Sequence, residues 1–461
     1  MLDSTEVADV ATILWRQHAK EMPDLDLVRG YMRGERGRPT LPEDPDDEIK
    51  ELAKLAVRNV MPLVVDAFAS ALTVSGFRSP SSEVDAPVWG LWQRERMDAR
   101  QAEVHRPAIQ YGASYLLLDQ PDGRVRFNPR SPRRMFAAYD DPTRDEWPQY
   151  ALETWVEVDG RKRIRHGILR DADAEYHVTI PGSAQSATAT FVANPDDGPP
   201  SVREHPFGVC PVVRFVNVRD VEDMLGGEVE PLIVDQKTLD AINFDRLVVS
   251  RFGAFPPKVV MGWAPQTGAE ASRLSARRII TFEDPDVKIG SWPAANVDGY
   301  NGLIEEQLAY IATKARIQVH ALTGKISNVG TETVALIDSP NQRKMGAKRL
   351  SFGESWEQAL RKGAEVEGTE VPEDAEVVWD VTEAQSFAQI VDGIGKLVTA
   401  GVPIDGLVDK IPGLSQQEKD GIRESIRKAD ATGLAAKIIQ AARTPQQVAA
   451  VEPAAEQEAL F

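Results

Sequence analysis

The chain has 461 residues, with 53 Lys and Arg against 71 Asp and Glu, for a formal net charge of −18. At roughly 100–200 residues per domain, this length predicts several domains. The single cysteine, Cys210, excludes an intramolecular disulfide framework and any Cys-rich zinc module, and the acidic balance argues against a protein that grips nucleic acid over most of its surface. The best apolar run, Asn59 to Phe77, carries Pro62 and Asp66 and has helical periodicity, so it does not read as membrane-spanning. The amino-terminal MLDSTEVADV is acidic where a signal peptide is basic, and a soluble intracellular product is the expectation.

Residues 4–34 read as helical, with Ser4 or Thr5 as N-cap, an apolar face at Val7, Val10, Leu14 and Trp15, and an interruption at Met22-Pro23. An acidic, Pro-rich connector from Pro39 to Glu48 precedes a second helix, expected to run to about Leu72 and stop at Ser75-Gly76. A third helix lies around Val88 to Gly112. The middle of the chain then reads as strands. SYLLLD and RVRFNP flank Asp122-Gly123, ALETWVEV and RKRIRHGIL flank Asp159-Gly160, and each Asp-Gly pair supplies hairpin geometry. AEYHVTI adds a strand, residues 181–200 read as an exposed loop, and residues 210–217 close the block as a short buried strand holding Cys210.

Two long helical stretches follow. Pro231 opens the first near its first turn, where a missing N–H costs nothing, and Leu232, Leu239, Ile242 and Val249 form its stripe. The second carries Ile304, Leu308, Ile311, Ala315, Val319 and Leu322. Each spans roughly 30–35 Å at 1.5 Å per residue. Between them the runs KVVMGW, RRIITFE and VKIGSW read as short strands. A polar loop, residues 324–330, leads to a helix capped by Thr331 and kinked or broken at Pro340. Residues 371–381 end in a strand, and the remainder is helical before a loose tail. The fold class is α+β, predominantly helical.

Chemistry is sparse. Gly324-Lys325-Ile326 lacks the Ser/Thr and the upstream glycine of a phosphate-binding loop. No pair among His18, His105, His166, His177, His205 and His320 has zinc-site helical spacing, although His166 and His177 can approach across a sheet. The carboxylates at Glu43–Glu48 and Asp196-Asp197 sit in Pro-rich connectors. No catalytic residue, metal or cofactor is assigned.

Several ordered motifs nevertheless stand out: Tyr31-x-x-Gly34; Asn59-x-x-Pro62-Leu63-Val64-Val65-Asp66 with Leu72 to Arg78; Trp92-Gln93; Ile109-Gln110-Tyr111-Gly112-x-x-Tyr115; Phe207 to Asn217; Gly227-Glu228-x-Glu230-Pro231; Gly330-x-Glu332; and Phe352-Gly353-x-x-Trp356. In this order they make the chain similar to the portal proteins of tailed double-stranded DNA bacteriophages, of the long-tailed, actinobacteriophage type. The resemblance implies a portal-type fold. Residues 1–227 form an α/β wing, 228–252 a first stem helix, 253–298 a small β-containing clip, and 299–322 a second stem helix. Residues 323–331 form a tunnel loop, 332–382 a kinked helix and strand returning to the wing, 383–445 a helical crown, and 446–461 a tail.

It further implies a non-enzymatic homo-oligomeric ring, usually of twelve subunits, at one capsid vertex of a virion assembled in the host cytoplasm. Double-stranded DNA passes through its channel during packaging and ejection. Terminase, major capsid and scaffolding proteins and a head-completion adaptor are its partners, with no membrane. Lys325 becomes the leading DNA-facing residue, with Ser327 and Asn328 beside it. Lys314 and Arg316 are candidates for the channel or for a subunit contact, and Arg273, Arg277 and Arg278 for clip docking. Competing readings are a metal-dependent DNA-processing enzyme using Asp44, Asp46 and Asp47, and a smaller head-tail adaptor.

Overall fold

A computed structural model describes residues 1–41, 43–79, 86–159, 162–182, 186–192, 201–254, 258–267, 279–286, 297–324, 331–380, 387–404, 407–408, 411 and 416–428. The chain divides into two compact units, one of residues 1–72 with 90–371 and one of residues 73–89 with 372–461.

Helix α1, Ser4–Met32, begins with Asp3 as N-cap rather than the expected Ser4 or Thr5. The Asp3 carboxylate accepts from the Thr5 and Glu6 amides at 2.8 and 2.9 Å, while Glu6 accepts from the Asp3 amide at 2.9 Å. This reciprocal box satisfies donors that a Ser4 cap would leave open. Pro23 does not interrupt the helix. Residues buried on both sides of it, Trp15 and His18 before, Val28 and Tyr31 after, outweigh one lost hydrogen bond.

The expected second helix is instead two: α2, Asp47–Ala56, and α3, Met61–Ala69, with Pro62 in the first turn of α3. The predicted stop at Ser75-Gly76 is a strand, β1, Val74–Arg78. Helices α4, Ala86–Arg94, and α5, Met97–Tyr111, replace the third predicted helix, separated where Arg96 turns left-handed at φ 56°. Gly112, at φ 100°, ends α5.

The two Asp-Gly hairpins form as read. Strand β2, Ala113–Asp119, pairs antiparallel with β3, Arg126–Arg130. After β4, Met135–Ala138, strand β5, Tyr150–Asp159, pairs in register with β6, Lys162–Arg170. Strand β7, Ala174–Ile180, continues that sheet. The span 181–200 is not simply an exposed loop: Thr190–Phe191 form β8 on β7, and Ala189 is buried with its amide bonded to Thr12 Oγ1 at 2.9 Å. Residues 183–185 and 193–200 lie outside the described residues. Strand β9, Val202–Glu204, also joins β7, whereas β10, Val212–Val216, pairs with β2. The apolar face of α1 (Val7, Ala11, Leu14, Trp15) packs on Leu152, Leu169, Tyr176 and Val178 of the larger sheet, as the helical period requires. Cys210 is buried beneath β2, as expected of core filler.

A short 3₁₀ turn, Glu230–Leu232, leads into α6, Ile233–Ala254. Strands β11, Lys258–Met261, and β12, Ile279–Phe282, pair in parallel, and the third predicted strand, 287–292, lies outside the described residues. Helix α7, Asp298–Ala315, ends earlier than predicted. Arg316 is left-handed at φ 61°, and a short α8, Val319–Thr323, follows. Ile317 is buried immediately after the turn and its amide bonds Ala312 at 2.9 Å, so a closed cap replaces continued helix. Helix α9, Thr331–Val366, runs through Pro340 without the break that was one of the two expectations there. In the second unit, β1 pairs antiparallel with β13, Glu376–Trp379, and α10, Phe387–Thr399, and α11, Gln416–Lys428, follow.

Candidate channel segment and its anchorage

Helices α6 and α7 run antiparallel. Arg246 bonds Asn301 at 3.3 Å near one end of the pair, and near the other Lys314 Nζ donates to the Pro231 carbonyl at 2.7 Å and the Asp235 carboxylate at 2.8 Å. Gln307 reaches the Asp235 carbonyl between them, at 3.3 Å. Leu239, Ile304, Leu308, Ile311 and Ala315 are buried, so the predicted stripes are core-facing over these positions, while Val319 is exposed.

Lys314 is therefore tied to the neighbouring helix of its own chain, and the Asp235 hydrogen bond holds its ammonium pKa above the ordinary lysine value. Arg316 is exposed at the left-handed cap. Lys325, Ser327 and Asn328, like Arg273, Arg277 and Arg278, lie outside the described residues.

What the structure adds is how the base of this helix pair is held. Gly227 passes so close to α5 that a Cβ there would stand 2.5 Å from the Gln110 carbonyl oxygen, and Glu228 donates its amide to Ile109 at 2.8 Å. The Glu228 carboxylate, buried, accepts from Lys348 Nζ at 2.6 Å, from Lys344 Nζ, and from Asn217 Nδ2 at 3.2 Å. Lys344 also donates to the Ala315 carbonyl at 3.1 Å, which links α9 to the last residue of α7. Both ammonium groups sit over the Phe68 ring, 4.8 and 5.0 Å from its centroid. Burial alone would raise the Glu228 pKa, but Lys348 and Lys344 together bring it below the ordinary carboxylate value. Burial lowers the Lys348 pKa, opposed by Glu228. Two ammonium groups on one carboxylate leave the cluster charged, and each ammonium has a second acceptor, the Ala315 carbonyl for Lys344 and Asn217 Oδ1 for Lys348, that offsets part of the cost of burial.

A second set of bonds fastens the 56–60 connector along α6. Gln236 accepts from the Val60 amide at 3.1 Å and donates to the Arg58 carbonyl at 3.0 Å. Asp240 accepts from the Arg58 amide at 2.7 Å, and Asn243 donates to the Ala56 carbonyl at 2.7 Å. Spacings of four and three residues put these side chains on one helix face. They give the 57–60 backbone the partners that helix would have supplied, which is why α2 and α3 do not fuse. Asn59 completes the junction, donating to the Met32 carbonyl at 3.0 Å and accepting from the Met61 amide at 3.1 Å.

Behind the junction lies an aromatic core. Trp356 Nε1 donates to His105 Nε2 at 2.8 Å, which makes His105 Nδ1 the protonated nitrogen, bonded to the Leu72 carbonyl at 3.1 Å. Phe352 stacks on His105, and Trp92 and Phe215 meet Trp356 edge-on at 4.8 Å. Burial drives the His105 pKa down to about 3 and the His18 pKa down to about 4.

The acidic connector is engaged elsewhere. Asp46 is the residue before α2, Asp47 pairs with Lys50 at 2.9 Å, and Glu48 pairs with Arg251 of α6. Among the described residues no group of three or more His, Cys, Asp or Glu side chains converges as a metal site would require. His166 stacks on Trp155 and bonds Glu157 at 3.0 Å.

Asn59, Gly112, Asn217 and the Gly227-Glu228 pair thus come from four motifs of the sequence and gather around one junction, with Trp356 in the aromatic core behind it. Residues 12–432 match the family described as phage portal protein, SPP1 Gp6-like. The chain belongs to that family. Among portal relatives, the portal protein of Mycobacterium phage D29 is 24% identical over 369 residues, covering 74% of this chain and 72% of that protein. The portal protein of Mycobacterium phage L5 is 24% identical over 362 residues with the same coverage. A solved chain from the virion of a native gene transfer agent particle superposes with a TM-score of 0.44 at 14% identity, covering 86% of this chain and 99% of that one.

The portal motifs were legible as patterns, yet the residues that complete the junction were not singled out: Lys344 and Lys348 on α9, and Gln236, Asp240 and Asn243 on α6. The four-residue spacing of Lys344 and Lys348 was available as a signal, but an exposed helix face shows the same spacing.

Proposed function

We propose that this portal protein assembles into a closed ring of identical subunits, twelve by resemblance, through which double-stranded DNA passes during packaging and ejection. Residues 228–252 and 299–322 act as stem, 253–298 as clip, 323–331 as tunnel loop and 383–445 as crown, with the wing at 1–227. The ring is a structural channel rather than an enzyme. Terminase and the head-completion adaptor dock at its clip end, where Arg273, Arg277 and Arg278 meet acidic partners, and the capsid and scaffolding proteins surround the wing. Lys325, Ser327 and Asn328 approach the DNA, and Arg316 reaches the channel or a neighbouring subunit.

The observation that carries the ring is the apolar surface the single chain leaves open. Val234 on α6 is 69% exposed, and Leu303 and Tyr310 on α7 are 49% and 55% exposed, outside the stripe that the two helices bury against each other. The β11–β12 ribbon likewise exposes Val260, Met261, Trp263 and Ile280. Apolar side chains on both flanks of one hairpin of helices are what a heterologous, closing contact would cover. Single-particle electron microscopy of the purified chain tests this. A closed ring with a hole the width of a duplex is expected from the native chain, and Tyr310→Asp with Leu303→Asp should leave folded monomers. A monomer or compact dimer of the native chain at micromolar concentration would overturn the reading.

A further inference from the structure

One cavity has a charge composition at odds with the rest of the molecule. It measures about 440 Å³ and opens where the end of α1, the start of α3, the end of α5 and the β3–β4 turn meet. Arg29, Arg33, Arg106 and Arg133 line it, with Gln110 and Tyr111 between them, and no Asp or Glu among the described residues does. Two larger cavities show the contrast: the one bounded by Arg130, Arg170 and Arg203 also holds Asp119, Glu153 and Glu175, and the one beside Arg214 holds Asp145, Glu146 and Glu354. In a chain of net charge −18, four guanidinium groups around one acid-free space need a reason.

Their internal partners do not supply it. Arg133 bonds Asp26 at 2.9 Å and Arg106 pairs with Asp66, but both carboxylates are about half exposed and stand outside the lining. Arg33 is 3.7 Å from Glu35, with both side chains 57% exposed, a contact worth little. The Arg29 guanidinium has no ion-pair partner among the described residues. Tyr111 and Gln110 supply neutral polar groups to the same wall. Every charged group facing the cavity is a cation with fork geometry.

We propose that this cavity is a binding site for closely spaced phosphates: the phosphodiester backbone of a nucleic acid or a free polyphosphate group. An acidic peptide brings one charge per flexible side chain, each of which loses rotamer freedom to reach its guanidinium. Successive phosphates, each with several acceptor oxygens, match four converging guanidiniums. The site does not depend on the ring. It is formed within one chain, so its failure and the failure of the channel reading are separately visible.

The probes are sodium tripolyphosphate and a short DNA duplex, measured by calorimetry on the full chain. Native protein should bind tripolyphosphate, Arg29→Ala should weaken it about tenfold, and Arg29→Ala with Arg106→Ala should abolish it. Arg29→Lys, which keeps the charge and the fold but loses the fork, should fall between. Competition by the duplex assigns the site to a nucleic-acid backbone, with a log–log salt slope shallower by about one per phosphate contact removed. Absence of competition assigns it to a free polyphosphate. No heat from native protein, unchanged affinity in the double variant, or displacement of tripolyphosphate by polyglutamate at equal charge would each overturn the proposal.

Discussion

Glu228 carries the charge balance of two lysines. Glu228→Gln leaves buried Lys348 and half-buried Lys344 over Phe68 with no anion, and removing one partner of a buried ion cluster costs about 3–5 kcal/mol. Urea unfolding should register that loss, and Glu228→Gln with Lys348→Met should cost less than the two single changes summed. Acid acts on other residues as well. His18 and His105 have folded pKa values of about 4 and about 3 against 6.5 unfolded, so the unfolded chain binds their protons first. Their contribution is intact above pH 6.5 and is lost as pH falls toward 4, at about 1.4 kcal/mol per unit for each imidazole. Asp240 has the opposite sign. Burial raises its carboxyl to about 6 from 3.8, and its Oδ2 is buried without a hydrogen bond. It destabilises the fold at neutral pH, and the penalty is relieved between pH 6 and 3.8. Asp240→Asn, which keeps an acceptor for the Arg58 amide, should raise stability by about 1–2 kcal/mol at pH 7.5 and by little at pH 4. Denaturant midpoints across that range read both effects.

Among the elements, the approach of the segment at Gly227 to α5 is the least forgiving. A Cβ at Gly227 meets backbone, not a flexible side-chain end, so Gly227→Ala must separate the segment leading into α6 from α5. A loss above about 2 kcal/mol is expected, read as a fall in Tm, whereas alanine at Gly123, which has open space around it, should cost only its strained φ of 74°. This contrast marks what was legible beforehand. Hairpins came straight from Asp-Gly pairs and alternation, because turn and strand chemistry are local. Long helices came from their apolar period. The breaks did not. The connector between α2 and α3 leaves the helix because Gln236, Asp240 and Asn243, about 180 residues later, bond its backbone, and no local propensity carries that information. Pro23 misled in the other direction, since burial on α1 outweighs a local penalty that reads as a stop. At the site, the glycines and Glu228 were visible within motifs, while their lysine partners on α9 looked like any solvated pair.

For the whole molecule, the same charge that keeps chains apart opposes closing them into a ring. At −18 per chain, neighbouring subunits repel through solvent, and the repulsion reaches about 30 Å at 0.01 M salt but only about 8 Å at 0.15 M. The apolar flanks of α6 and α7 are indifferent to salt over that range. Ring formation should therefore rise with ionic strength, the reverse of an assembly held by opposite charges. Sedimentation velocity at the two salt concentrations distinguishes them: a larger ring fraction at 0.15 M is expected, and dissociation at 0.15 M would point to ion-paired interfaces instead.

The bonds from α6 to the connector have a consequence for how this region can drift in sequence. Gln236, Asp240 and Asn243 address backbone amides and carbonyls, which every residue other than proline presents alike. Of the receiving positions, Ala56 and Val60 are buried, but Arg58 is exposed and is therefore free, as far as these contacts go, to exchange its side chain, while the three addressing positions must keep their donors and acceptors. Saturation libraries at 58 and at 236, 240 and 243 should show that asymmetry directly: position 58 tolerant, 236 and 243 nearly fixed, and 240 accepting asparagine besides aspartate.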